Sequence, residues 1–100
     1  MRIRLTPDAA AQFAAVDGWW RENRRAAADL FSDELAHAME LLRSLPFAGR
    51  PLRRRGTKGV RMLLLKATRY HAFYTVTSDE IRVLAVWSAV RRSGPDLRQP

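Results

Sequence analysis

Three short apolar runs between Val60 and Trp87, separated by tight polar connectors, constrain this chain more than any other feature. Val60 to Lys66, Tyr70 to Val76 and Ile81 to Trp87 are rich in β-branched and aromatic residues and are too short for stable helices. Lys66-Ala67-Thr68-Arg69 and Thr77-Ser78-Asp79-Glu80 have the length and polarity of connectors between neighbouring antiparallel strands. The region predicts a three-stranded meander framed by arginines.

The N-terminal half predicts a strand and two helices. Arg2 to Leu5 alternates polar and apolar residues, and Thr6-Pro7-Asp8 then signals a helix: Thr6 suits the N-cap, Pro7 the first helical position and Asp8 the positive end of the dipole. That helix runs from Pro7 to about Glu22, with Ala9, Phe13, Val16 and Trp20 as its apolar stripe and Trp19 pointing aside. Gly18 weakens it locally and predicts a bend or a close approach. A second helix is expected from near Arg25 to Leu45, where Pro46 biases the preceding residue out of the helical region. Its stripe is Ala28, Phe31, Leu35, Ala38, Leu42 and Leu45, the seam of an antiparallel hairpin. Leu30, Met39 and Leu41 lie outside that stripe, so the hairpin offers more apolar surface than one contact needs.

With 100 residues the chain predicts one domain, 1–100, with a mobile tail over about 93–100 that offers no site. It has no cysteine, so disulfides and thiolate metal sites are excluded, and two histidines without paired carboxylates make no metal centre. The polar turn after Leu5 leaves no signal-peptide core and no span of bilayer length, which predicts a soluble, cytoplasmic protein. The net charge of +8 is unevenly placed. Residues 1 to 45 hold six Lys/Arg against seven acids, whereas residues 46 to 100 hold twelve against three. The sheet, the loop before it and the tail therefore project a positive field that attracts nucleic acid or an acidic protein.

Part of that charge sits in Pro46 to Gly59, which holds three of the five glycines and two of the five prolines and reads as no regular element. Arg50, Arg53, Arg54, Arg55 and Lys58, with no acid among them, make either a phosphate-contacting loop or a solvated charge run. Phe47 is the one aromatic nearby, which argues against single-strand recognition by this loop.

The element order is β-α-α-β-β-β, an α+β fold with a two-helix hairpin on a small antiparallel sheet. Four segments carry a likeness within that order. They are Gly49-Arg50-Pro51-Leu52, Val60-Arg61-Met62-Leu63, the strand Tyr70-His71-Ala72-Phe73-Tyr74-Thr75-Val76, and Ile81-Arg82-Val83-Leu84-Ala85-Val86-Trp87 followed by Arg91-Arg92. In this order and spacing, from Arg2 to about Leu97, the chain resembles the RelE/ParE family of type II toxin–antitoxin toxins. The resemblance implies a compact toxin neutralised by a cognate, acidic antitoxin.

The family divides by target. Its ribonuclease branch cleaves messenger RNA on the ribosome, using second-strand lysines, a third-strand arginine, another past the fourth strand and often a tail tyrosine. Aligned on Tyr70 to Val76, this chain has Met62 and Leu64 at the lysines, His71 at the arginine and Leu97 at the tyrosine; Arg91 alone keeps its cation. Aliphatic side chains neither transfer protons nor balance phosphate charge. A substitute set of His71, Arg69 and Arg91 keeps a nuclease reading open, because Arg69, His71, Phe73 and Thr75 share a face if the strand alternates strictly.

The ParE branch lacks that set and acts by binding DNA gyrase. It is the preferred reading, and such occupancy needs no cofactor, small-molecule substrate or membrane. Charge and position single out Arg61, Arg69, Arg91 and Arg92 for the target. Trp19, Trp20, Leu30 and Met39 are the expected antitoxin anchors, since buried aromatic and apolar side chains dominate such interfaces. Trp87 is expected in the core.

Overall fold

A computed structural model describes residues 1–91 and 94–97. The elements are β1 (Arg2–Leu5), α1 (Pro7–Asn23), a short 3₁₀ turn (Arg25–Ala27), α2 (Leu30–Ser44), β2 (Arg50–Pro51), β3 (Arg61–Leu65), β4 (Tyr70–Val76) and β5 (Glu80–Ser88). They form one five-stranded sheet of order β1-β5-β4-β3-β2. β3, β4 and β5 make the expected antiparallel meander, while β1 joins β5 in parallel at one edge.

Local signals account for most boundaries. Thr6 Oγ1 accepts from Ala9 N–H at 3.2 Å and Pro7 opens the helix, as the capping pattern predicts. α1 continues without interruption through Gly18, and an added Cβ there would meet nothing within 4 Å, so no close approach explains this glycine. The second helix starts later than expected. Ala26, Ala27 and Ala28 favour helix by propensity, but the chain reverses there through the 3₁₀ turn, and Arg21 clamps the corner by an ion pair to Asp29 at 2.9 Å. At its far end Leu45 leaves the helix and is exposed, because the backbone has already turned at that residue.

Pro46 to Gly59 is more ordered than its composition suggests. Arg50 and Pro51 pair with Met62 and Arg61 as a two-residue edge strand, and proline is tolerated there because an edge needs no second donor. Beyond it, Leu52 N–H donates to Val60 O and Val60 N–H to Thr57 O, around a buried Thr57.

The sheet is covered on both faces. Both helices pack on the first, where Ala9, Phe31, Leu35, Ala38 and Leu42 meet Leu65, Tyr74, Ile81, Val83 and Val86. β1 is too short to cover the whole edge of β5, and the N-cap and second turn of α1 supply the missing partners: Thr6 Oγ1 donates to Leu84 O and Gln12 Oε1 accepts from Val86 N–H at 2.8 Å. The second face holds Val60, Phe73, Leu84, Ala85 and Leu97, with Leu52, Met62 and Trp87 beside them. Leu97 is buried, so this part of the tail expected to be mobile is packed, because it covers apolar sheet surface that no helix reaches.

At the β1–β5 edge Glu80 is buried among three arginines: Arg4 approaches at 3.2 Å, Arg82 at 3.2 Å and Arg2 at 3.6 Å. Hydrogen bonds from Arg4, then the positive charges of Arg4 and Arg82, outweigh burial and hold its carboxyl below the usual glutamate value of 4.5. A depressed folded-state value means that this contribution to stability is complete above about pH 4.5 and is lost as pH falls through the folded value. Urea midpoints of the wild type should therefore drop on acidification in that window, and Glu80→Gln should flatten the drop. An unchanged profile would show that Glu80 does not fasten β1.

Candidate functional site

The second sheet face narrows into a basic cleft at the end where β3, β4 and β5 meet the loop and tail. Cross-strand partners share a face, so the ladders Leu64–His71–Trp87 and Arg50–Met62–Phe73 place these side chains together. One recess of about 240 Å³ is lined by Arg54, Met62, His71, Phe73, Trp87 and Arg91 among others. A second, of about 340 Å³, adjoins it through Met62 and His71 and is lined by Arg50 and Leu64. Neither lining contains a lysine or an acid.

Each side chain is held by a local device. A register shift between Phe73 and Tyr74 marks a bulge in β5: Phe73 pairs with Ala85 and Tyr74 with Val83, leaving Leu84 extra. Past the bulge the side chains of β5 exchange faces, which brings Trp87 into the cleft beside His71. Trp87 is thus half-buried on the second face, where unbroken alternation would have sent it to the helices. The Arg91 guanidinium lies over its ring at 4.7 Å. Arg54 rests against the tail, since an added Cβ at Gly94 would lie 2.9 Å from its Nη1. His71 meets Phe73 edge-on with ring centroids 5.8 Å apart. Burial, and after it the charge of Arg50, hold the His71 imidazole below its ordinary value, so it is neutral at pH 7.

Two fastenings position this cleft, and the sequence reading identified neither. Tyr74 Oη accepts from Gly49 N–H at 2.8 Å and donates to Pro46 O at 2.9 Å, which ties the start of the basic loop to the core. From α2 the Glu34 carboxylate accepts from Ala67 N–H at 2.7 Å, from Thr68 N–H at 3.0 Å and from Thr68 Oγ1 at 2.6 Å, fixing the turn that leads into His71. The turn's tightness gave a signal for the second; a tyrosine inside an apolar strand gave none for the first.

Of the singled-out residues, His71 and Arg91 come together in the cleft. Arg69 does not lie on the strand: it adopts φ 66° in the preceding turn and its carbonyl accepts from Ala89 N–H. The face shared by Arg69 and His71 that strict alternation implied therefore does not form. Arg61 pairs with Tyr74 and so lies on the helix-side face, where its Nε donates to Gly49 O at 3.0 Å and it stacks on Phe47 at 5.1 Å. Arg92 lies outside the described residues. Arg50 and Arg54 complete the cleft, and the acid-free cationic run was the signal for them.

On the hairpin, Trp19 and Leu30 are exposed, whereas Trp20 and Met39 pack against the chain's own core. Leu41, Leu45, Phe47 and Leu64 are exposed as well. Among the described residues no helix is long and apolar enough to cross a membrane, and no group of three or more His, Asp or Glu side chains is placed to hold a metal ion.

The architecture is α+β, a two-helix hairpin on one face of a five-stranded sheet with a basic cleft on the other. Its relatives narrow the class. A model of the ParE toxin of the type II toxin–antitoxin system parDE matches residues 3–92, and the chain belongs to that family. A solved structure of a chromosomal ParDE system from P. aeruginosa superposes with a TM-score of 0.70 at 25% identity, covering 88% of this chain and 95% of that one. A YoeB/ParE toxin from Agrobacterium tumefaciens superposes at 0.65 with 17% identity, covering 88% and 98%. No curated protein matches the sequence.

Proposed function

We propose that this toxin arrests growth by occupying DNA gyrase in the cytoplasm, without a reaction of its own, and that an acidic antitoxin neutralises it. The observation that carries the reading is the cleft's chemistry. Met62 and Leu64 stand where the ribonuclease branch would have lysines, on the same face as His71. A site so built binds anions through its arginines but has no group to balance charge where those lysines would act. Occupancy then acts by trapping one state of the target's cycle.

One feature supports a second reading, a ribosome-dependent nuclease: His71 is neutral beside Arg50, the state a general base requires. Expression under tight control, with and without the adjacent open reading frame, separates the two. The gyrase reading expects DNA cleavage damage with intact transcripts, rescued by the neighbouring frame and retained in His71→Ala. Transcripts cut at ribosomes in the wild type and spared in His71→Ala would replace it with the nuclease reading.

For the antitoxin, the exposure of Trp19 and Leu30 supports their role as anchors, while Trp20 and Met39 serve the fold as well. Trp19→Ala and Leu30→Ala should each leave stability within roughly 0.5 kcal/mol and weaken antitoxin binding about tenfold. Trp20→Ala, at a half-buried position packed against the core, should instead destabilise the free toxin by about 1–3 kcal/mol. Urea titrations and calorimetry of the complex check both statements, and unimpaired antitoxin binding by the Trp19→Ala, Leu30→Ala double variant would remove the hairpin from the interface.

A further inference from the structure

One end of the molecule carries apolar surface that neither the core nor the cleft uses. Leu45 and Phe47, 57% and 66% exposed, stand on the tight turn after α2, where Ala48 N–H donates to Leu45 O at 3.0 Å. Leu41 lies one helical turn earlier, and Leu64 on the adjoining edge of β3 shares one recess with Leu41 and another with Ala48 and Gly49, so these side chains form one continuous apolar edge. Cations surround it. Residues 41 to 66 hold eight Lys/Arg and no acid. Arg61 stacks on Phe47 at 5.1 Å, and Arg50 and Lys66 line the recesses on either side of Leu64. The neighbouring acids are engaged, Glu40 with Arg43 at 3.2 Å and Glu34 with the turn at Ala67 and Thr68. The backbone of the turn is also prepared to leave water. Leu45 O accepts from Ala48 N–H, Pro46 O from Tyr74 Oη, Phe47 O from Arg61 Nη2 and Gly49 O from Arg61 Nε. Carbonyls satisfied from within cost little to desolvate, which a hydrocarbon boundary demands and a wet protein surface does not.

We infer that this edge docks on an anionic lipid surface, with Leu45 and Phe47 entering the boundary between headgroups and acyl chains and the surrounding Arg and Lys side chains on the lipid phosphates. Charge complementarity selects this occupant, since a second copy of the chain would set a net charge of +8 against its own like. The projecting tip also suits a lipid boundary better than a segment of the antitoxin, whose expected anchors Trp19 and Leu30 lie at the other end of the hairpin, about 20 Å from Leu45 along α2. Binding of this kind is peripheral and reversible. It stands apart from the gyrase reading, which rests on the cleft.

Co-sedimentation of the full-length toxin with vesicles of phosphatidylcholine alone, and of phosphatidylcholine with about one-third phosphatidylglycerol, tests this. Partitioning onto the anionic vesicles should be at least about tenfold stronger than onto the neutral ones and should weaken as salt is raised. Leu45→Ser, Phe47→Ser together, which leaves every charge in place, should cut that partitioning at least about tenfold. Trp19→Ser, Leu30→Ser, which removes exposed apolar surface from the opposite end of the hairpin, should change it by less than about twofold. Phe47→Trp, which keeps the tip apolar, should bind like the wild type and add an emission component that shifts to the blue on anionic vesicles. Binding unchanged by Leu45→Ser, Phe47→Ser would mean that net charge alone holds the protein at the surface and would overturn the inference. Equal losses in the two double variants, equal binding to neutral vesicles, or unshifted emission of the Phe47→Trp protein would do the same. Loss of antitoxin affinity in Leu45→Ser, Phe47→Ser with vesicle binding intact would assign the edge to the antitoxin instead.

Discussion

Gly49→Ala is expected to destabilise the toxin by roughly 2–4 kcal/mol and to displace the start of the basic loop at the same time. A Cβ at this position would lie 2.6 Å from Tyr74 Oη, 2.8 Å from Tyr74 Cε1 and 2.8 Å from the Met62 carbonyl oxygen. Neither neighbour has room to give. Tyr74 is wholly buried, and the Met62 carbonyl belongs to β3. Relief requires the chain at Gly49 to move outward, which lengthens the Gly49–Tyr74 hydrogen bond and shifts Arg50, the next residue. A double-mutant cycle with Tyr74→Phe separates the two causes. Removing the hydroxyl alone leaves a buried N–H and a part-buried carbonyl without this partner, at about 1–3 kcal/mol. It also removes the closest obstacle to a Cβ, so the double variant should lose less than the sum of the singles. Urea midpoints of the wild type and the three variants measure the coupling; a Gly49→Ala protein with wild-type stability would show that the close approach is not obligatory.

The same residues show where the sequence was legible. Thr6-Pro7, the two helical stripes and the β3–β4–β5 meander followed from periods and capping chemistry, which act within a few residues. Longer-range features did not. The bulge at Leu84 is invisible in a run that reads as an ordinary strand, yet it decides which face receives Trp87. That one extra residue turns Trp87 to the second face, where it packs against the Phe73–Leu84–Leu97 cluster and also lines the cleft. Charge and position in the sequence point to Arg61 and Arg69. The fold spends Arg61 on the Gly49 carbonyl and Arg69 on a left-handed turn position, because strand parity and turn geometry decide orientation whatever the charge. Arg50 and Arg54 were visible as part of an acid-free cationic run, but only the edge strand and the buried Thr57 bring them to His71's side of the sheet. The parallel pairing of β1 was likewise unreadable, since Arg2 to Leu5 carries no mark of its partner.

Phe31→Ala should give the largest loss, about 3–5 kcal/mol, as for other fully buried large-to-small changes. Phe31 has no exposed surface and sits where both helices meet the sheet, with ring centroids 5.7 Å from Phe13 of α1 and 5.2 Å from Tyr70 of β4. Removing its ring opens a cavity against three elements whose backbones are fixed by their own hydrogen bonds, so collapse is limited. A domain of this size has about 5–15 kcal/mol of stability in total, so the variant is left near the folding threshold. Its behaviour then depends on the antitoxin. A partner that binds only the folded toxin adds about 2.7 kcal/mol when present at a hundred times its dissociation constant. The free variant should therefore unfold at much lower urea than the wild type and the complex should recover most of the difference, whereas Leu41→Ala, at an exposed position of the same helix, should change neither. Paired urea titrations with and without antitoxin measure this directly. A free Phe31→Ala toxin within about 1 kcal/mol of wild type would mean that the hairpin is not fastened to the sheet through this ring.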